Sequence, residues 1–99
     1  MLLIRDIMYC KPGKVRPLLE KFLAMKKLGE GKNQWNMRIM TDVSAERYWT
    51  LVSEMEVPSL EAFMSMDQDA DEMKEMEEIM KGYHDLVDHG RREIYKIEG

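Results

Sequence analysis

Residues 35–57 read WNMRIMTDVSAERYWTLVSEMEV, and this stretch decides the fold. Trp35, Met37 and Ile39 alternate with Asn36, Arg38 and Met40, after which Thr41 to Arg47 is polar and turn-like. The returning run carries Trp49, Leu51, Met55 and Val57 on one parity and Tyr48, Thr50, Val52, Glu54 and Glu56 on the other. Successive side chains of a strand point to opposite faces, so the pattern predicts a hairpin whose odd-numbered face packs into a core. Arg38 and Glu54 fall on the opposite face. As neighbours on antiparallel strands they are expected to meet directly or diagonally.

Toward the N-terminus, Leu2, Ile4 and Met8 occupy one parity and Leu3, Ile7 and Tyr9 the other. A strand apolar on both faces is expected at the centre of a sheet, although Arg5 and Asp6 interrupt it. Lys11-Pro12-Gly13 supplies a turn, and Val15, Leu18, Leu19, Phe22 and Met25 then recur at helical spacing, with Gly29 and Gly31 as stop signals. On the C-terminal side Pro58 ends the hairpin and Ser59 is a good N-cap. Phe63, Met66, Ala70, Met73, Met76, Met80, Tyr83 and Val87 predict one long amphipathic helix, bent around Gln68 and ending at Gly90 after His89. Arg91 to Glu98 alternates again and is expected to form the last strand.

The resulting order, β-α-β-β-α-β, is the α+β, ferredoxin-like plan: a four-stranded antiparallel sheet with two helices on one face, here expected as a single domain over residues 1–99. The face without helices carries Met40, Tyr48, Val52, Arg38 and Glu54. An uncovered sheet face of that kind predicts a sheet-on-sheet homodimer, with these last four residues at the interface.

Nineteen acidic against fifteen basic residues give a net charge of −4 and a pI near 5.2. No basic stripe is present, and the run from Asp67 to Glu78 is acidic, so neither nucleic acid nor an anionic membrane is expected as a partner. Cys10 is the single cysteine, and Arg5 and Asp6 break the apolar start at once. The expectation is a cytoplasmic protein without a disulfide, signal peptide or membrane span.

Several clusters invite a chemical reading. Asp67, Asp69, Asp71 and Glu78 fit positions of a calcium loop, but Glu72 stands where that loop needs glycine, and Met73 and Met76 continue the helical period. A solvated helix face is the simpler account, and no metal is expected. His84 with Asp88, and Asp85 with His89, are i,i+4 pairs on the expected helix and could supply ligands or an acid–base couple. Met64, Met66, Met73, Met76 and Met80 are read as adaptable core rather than as cofactor ligands. A cofactor-free site would need a base and an orienting donor, for which His84 and Tyr95 are the candidates, with Trp49, Tyr83 and Arg5 around a substrate. Arg38 and Glu54 are either an ion pair that fixes a dimer register or part of a pocket for a carboxylated substrate.

The Pro12-Gly13-Lys14 turn, the Trp49 strand and the terminal Arg92-Glu93-Ile94-Tyr95 strand, together with the element order, resemble the dimeric α+β barrel superfamily. That group includes antibiotic-biosynthesis monooxygenase-like and NIPSNAP-like domains. The resemblance implies a homodimer whose sheets pack face to face, with a small apolar cavity between sheet and helices. It also implies a range of activities, from cofactor-independent oxygenases and isomerases to haem degradation. Haem-degrading members rely on an Asn in strand one, a Trp near the start of helix two and a His about ten residues on. Here strand one has no Asn, Phe63 stands at the Trp position and Met73 follows, so that activity and its cofactor are not expected. Two readings remain. One is a homodimer that binds a small apolar or aromatic molecule. The other is a monooxygenase-like or isomerase-like enzyme acting on a small aromatic or polyketide-like substrate with His84 as base.

Overall fold

The computed structural model describes residues 1–30, 37–65 and 70–99. Gly31, Trp35, Asn36, Met66, Asp67, Gln68 and Asp69, which the sequence reading used, lie outside the described residues. Strands β1 (Leu2–Cys10), β2 (Met37–Thr41), β3 (Thr50–Val57) and β4 (Val87–Lys96) form one antiparallel sheet in the order β2-β3-β1-β4. β1 therefore has a strand on each side, as its two apolar parities require. Among the described residues, helices α1 (Val15–Glu30), α2 (Leu60–Met64) and α3 (Ala70–Ile79) and a 3-10 turn at Tyr83–Asp85 complete the regular structure. No helix among the described residues is long and apolar enough to cross a membrane.

Strand register assigns the faces. Ile4 pairs with Met55 and Met8 with Leu51, while Met37 pairs with Met55 and Ile39 with Ser53. Even positions of β1 and odd positions of β2 and β3 thus share one face. Cys10 and Leu51 from that face pack with Leu18 and Phe22 of α1, and Met8, Met37 and Ile39 close around them. Leu18, Leu51 and Val57 lose all contact with solvent, and each such side chain contributes about 1.5–3 kcal/mol by leaving water. Ser59 caps α2 as expected, its hydroxyl accepting from the Ala62 amide at 3.1 Å.

The second helix departs from expectation. It is divided into α2 and α3, and α3 stops at Ile79. Gly82 then takes a left-handed conformation, φ 83°, which glycine adopts without steric penalty. Lys21 Nζ reaches across from α1 and donates to the carbonyls of Ile79 at 3.1 Å and Lys81 at 2.7 Å. Those donations satisfy backbone acceptors that the end of α3 leaves without helical partners. Tyr83, Leu86 and Val87 do pack on the core, so their three-to-four spacing reflects real burial. They do so from a turn and a strand start, which periodicity alone does not separate from a helix. Gly90 is accordingly not a helix stop. It lies in β4 opposite Met8, where a Cβ would stand 3.0 Å from the Ile7 carbonyl oxygen.

The hairpin departs in one place. β3 begins at Thr50, and Trp49 precedes it with φ 62°, 44% exposed. Tyr48 is 85% exposed in the same connection. Neither residue belongs to the strand faces assigned to them. The polar groups around the turn prevail over alternation: Asp42 Oδ1 accepts from the Thr50 amide at 2.8 Å, and the Trp49 carbonyl accepts from the Cys10 amide at 2.8 Å.

Candidate functional site

The face opposite the helices is organised in rows across the strands. One row runs Arg38, Glu54, Arg5, Glu93 from β2 to β4, each residue register-paired with the next. Glu54 is 7% exposed, and both of its carboxylate oxygens are occupied. Arg5 Nε donates to Oε2 at 2.6 Å and Arg38 Nη2 donates to Oε1 at 2.6 Å. Burial alone would raise the Glu54 pKa, but the hydrogen bonds from Arg5 and Arg38 outweigh it and hold the carboxyl below its usual range. The same bond to Glu54 pushes the Arg5 pKa further up. Arg5 Nη1 also lies 3.6 Å from Glu93, and Arg91 reaches Glu93 at 3.6 Å. The adjacent row, Met40, Val52, Ile7, Arg91, is apolar over three of its four positions. On the other side Tyr95 lies under the Arg5 guanidinium, 5.4 Å from it to the ring centroid.

At the far end of the same face Tyr9 is buried beneath Arg47, whose guanidinium stands 4.7 Å above the ring centroid. Arg47 Nη1 is 3.1 Å from His89 Nε2, and His89 Nδ1 is 3.3 Å from Asp88. The turn between β2 and β3 is thereby tied to β4 across the sheet.

The helix side carries a second polar group. Arg92 Nε donates to Asp6 Oδ1 at 2.6 Å and Nη2 to Oδ2 at 3.3 Å. The guanidinium also lies 5.1 Å from the Phe63 ring centroid. Hydrogen bonding to Asp6 raises the Arg92 pKa. Next to this pair Ile94, opposite Ile4, is 44% exposed, so one apolar side chain of β4 remains accessible on the helix side between Arg92 and Lys96. Sequence reading missed the Asp6–Arg92 pair. Asp6 is visible as a charge inside an apolar strand and Arg92 lies within the expected last strand, but their pairing depends on the β1–β4 register, which alternation does not supply.

The structure separates residues that the sequence reading grouped. His84 lies exposed on the 3-10 turn with its ring 4.4 Å from that of Tyr83, whereas Tyr95 is on the helix-free face of β4. They do not share a pocket, and His84 has no buried surroundings to make it a base. Tyr83 packs against the helix-side core, Arg5 points to the other face, and Trp49 precedes β3, so these three do not surround one cavity. Of the interface set, Arg38, Glu54 and Val52 share the helix-free face, while Tyr48 belongs to the turn. The two i,i+4 pairs dissolve because Asp88 and His89 lie in β4. Among the described residues no three His, Cys, Asp or Glu side chains are grouped to hold a metal ion. Two of the four calcium-loop candidates, Asp67 and Asp69, lie outside them. Burial pushes the Cys10 thiol up, with Asp42 adding to it, which disfavours the thiolate.

Solved structures share this fold. An uncharacterized NIPSNAP domain protein from Burkholderia xenovorans superposes with a TM-score of 0.71 at 14% identity, over 99% of this chain and 95% of that one. An antibiotic biosynthesis monooxygenase gives 0.71 at 12% identity, over the full length of both chains. Rv0793 from Mycobacterium tuberculosis gives 0.73 at 9% identity, over 99% of this chain and 95% of that one. No protein-family model matches the sequence, and no curated protein matches it. The likeness is therefore one of fold, the ferredoxin-like α+β fold of NIPSNAP-like and monooxygenase-like domains.

Proposed function

We propose that this protein is a cytoplasmic homodimer that joins through its helix-free sheet face and binds a small apolar or aromatic molecule between sheet and helices. The observation that carries the ligand reading lies on the helix side of β4. There the Asp6–Arg92 pair lies against the Phe63 ring beside the half-exposed Ile94. Phe63 and Ile94 offer apolar contact, and the guanidinium plane offers stacking for an aromatic ring. Arg92 retains N–H donors beyond the two used on Asp6, which can orient a polar substituent. Apolar contact beside a fixed polar group is the combination that small-molecule sites use.

The dimer reading rests on the opposite face, where Met40, Val52, Ile7 and Leu3 flank the charged row. Neighbours of the same fold include a protein called an antibiotic biosynthesis monooxygenase. A catalytic version of the present reading would use groups on the helix side, since His84 is exposed on the turn.

Protein-observed NMR with a panel of small aromatic compounds tests the ligand reading. Binding is expected to move the resonances of Phe63, Ile94 and Arg92 together, and Phe63→Ala is expected to weaken it at least about fivefold, a loss of about 1 kcal/mol. Shifts confined to other residues, or no shifts across the panel, would overturn it. Light scattering at micromolar concentration tests the assembly, with a mass of two chains expected and a stable single chain decisive against it.

A further inference from the structure

The contact between Arg47 and His89 exists in one protonation state of the imidazole. A guanidinium carries donors and no acceptor, so with Arg47 Nη1 3.1 Å from His89 Nε2, that ring nitrogen accepts and carries no proton. The proton of the neutral ring then sits on Nδ1, which donates to Asp88 Oδ2 at 3.3 Å. Simple alternation would put Asp88 and His89 on opposite faces of β4. A register shift undoes this: Tyr9 pairs with His89 and Cys10 with Val87, which leaves Asp88 as the unpaired residue of a β-bulge. Asp88 is thereby set beside the imidazole, and it also lies 3.8 Å from Arg47 Nη2.

The geometry points to His89 as a pH-sensitive latch: the neutral imidazole ties the β2–β3 connection to β4 through Arg47, and the protonated imidazole releases it. Arg47 faces His89 from the connection, and Tyr9 faces it from β1 with ring centroids 4.8 Å apart. Asp88 and, two positions along the same face, Arg91 face it from β4 itself. A second proton on the ring has to go to Nε2. There it sets N–H against N–H and brings imidazolium and guanidinium, two like charges, to 3.1 Å, with the Arg91 charge on the same side. Asp88 stays with the imidazolium, to which it is nearer than to Arg47, so the arginine is the group that leaves. Its departure uncovers Tyr9, a buried ring that the guanidinium covers from 4.7 Å. The connection already exposes Val43 and Tyr48, so release adds a third large side chain to that end of the sheet.

Exposure sets the strength of the device. The Arg47, Asp88 and His89 side chains are each about half exposed, so water delivers the proton to Nε2 directly. The same exposure keeps the tie weak, and its loss should shift the balance between covered and uncovered Tyr9 by about twofold to fivefold. NMR of the full chain, with imidazole and arginine side chains labelled, reads both halves. At about pH 8 the Nδ1–H tautomer of His89 is expected, with the Arg47 Nε and Cδ protons moved upfield by the Tyr9 ring. As pH falls to about 5, the interval across which imidazoles titrate, these protons should return toward ordinary arginine positions in step with the His89 ring.

Three variants isolate the cause. His89→Gln supplies an amide oxygen that accepts without titrating, so Arg47 should stay upfield at both ends of the interval. His89→Lys sets a permanent cation there, and Arg47 should stand at ordinary positions throughout. His84→Gln removes the chain's other histidine and should leave the transition unchanged. An Nε2–H tautomer near pH 8 would overturn the latch, because Arg47 then has no acceptor. Arg47 resonances that ignore the His89 titration would overturn it too, as would a transition that survives His89→Gln.

Discussion

Arg5 and Glu54 stand directly opposite each other on adjacent central strands, joined by a 2.6 Å bond from Nε to Oε2. Arg38 holds the other oxygen at the same distance, but from an edge strand and with 70% of its side chain exposed, against 34% for Arg5. Two arginines with equal bond lengths are therefore unequal in worth. Loss of Arg5 removes the better-shielded partner of a buried carboxylate. Full burial would make such a loss worth 3–5 kcal/mol, which partial exposure of Arg5 reduces to about 1–3 kcal/mol. Arg38→Leu leaves Arg5 in place and should cost only about 0.2–1 kcal/mol. Urea denaturation of both variants checks the order. The double change Arg38→Leu with Glu54→Leu should be milder than the sum of its singles, because the carboxylate that needs compensation is gone. Equal losses for the two arginine variants would contradict the unequal shielding.

The same carboxylate sets a pH dependence. Glu54 titrates below its ordinary value in the folded chain, whereas the unfolded chain restores a value near 4.3. The unfolded state therefore binds the proton more readily, and protonation favours unfolding. This contribution is fully present above about pH 5 and is lost as pH falls through about 4 toward the folded value. Glu54→Gln should flatten the loss of stability between about pH 5 and 3, measured by denaturation at stepped pH. An unchanged slope in that window would show that other carboxylates carry the acid response.

Much of this was legible in residues 35–57 and 2–10. Alternation separated Leu51 from Glu54 and placed Arg38 beside it, because a half-buried hairpin must segregate its two faces. The C-terminal third was less legible for a physical reason. Tyr83, Leu86 and Val87 bury against the same core as Met80, so burial kept helical spacing after the helix itself had ended. Lys81-Gly82 carried the stop, and a left-handed glycine was the signal for it. The error then propagated to the site. With the helix carried on to Gly90, His84 and His89 read as helical, whereas Asp6 goes unpaired because the register that sets Arg92 opposite it is not written in alternation.

Gly90 tests the corrected β4 start. Its Cβ would sit 3.0 Å from the Ile7 carbonyl oxygen and 3.4 Å from Met8 Cγ. The methionine can rotate away, but the backbone oxygen of a central strand can move only with the sheet. Gly90→Ala should destabilise by about 1–3 kcal/mol, the usual range for overpacking. Thermal unfolding of the variant measures the loss, and an unchanged melting temperature would mean that β4 does not approach Ile7 this closely.

His84 offers a contrast of the opposite kind. Its ring is exposed and touches only the neighbouring Tyr83 among the ring contacts of the described residues. His84→Ala should change stability by less than about 0.5 kcal/mol. It should also leave the binding of aromatic compounds, followed by NMR at Phe63 and Ile94, unaltered. A loss of binding without a loss of stability would bring His84 back to the site.

Trp49 carries a sharper expectation, because its backbone sits where side chains are disfavoured. At φ 62° an L-residue costs about 1–2 kcal/mol relative to ordinary conformations. The conformation is enforced from both sides. Asp42 accepts the Thr50 amide at 2.8 Å, the Thr50 hydroxyl donates to the Arg47 carbonyl at 2.8 Å, and the Trp49 carbonyl accepts from Cys10 at 2.8 Å. Replacement by glycine and replacement by alanine both remove the half-exposed indole, so their difference isolates the backbone. Elsewhere alanine is the more stable of the two by about 0.4–1 kcal/mol, since it restricts the unfolded chain. At position 49 the order should reverse, with Trp49→Gly more stable than Trp49→Ala by up to about 1.6 kcal/mol, the left-handed penalty less that entropy difference. Chemical denaturation of the pair measures it. If alanine proves the more stable, the turn relaxes out of the left-handed region without cost, and the three hydrogen bonds do not enforce it.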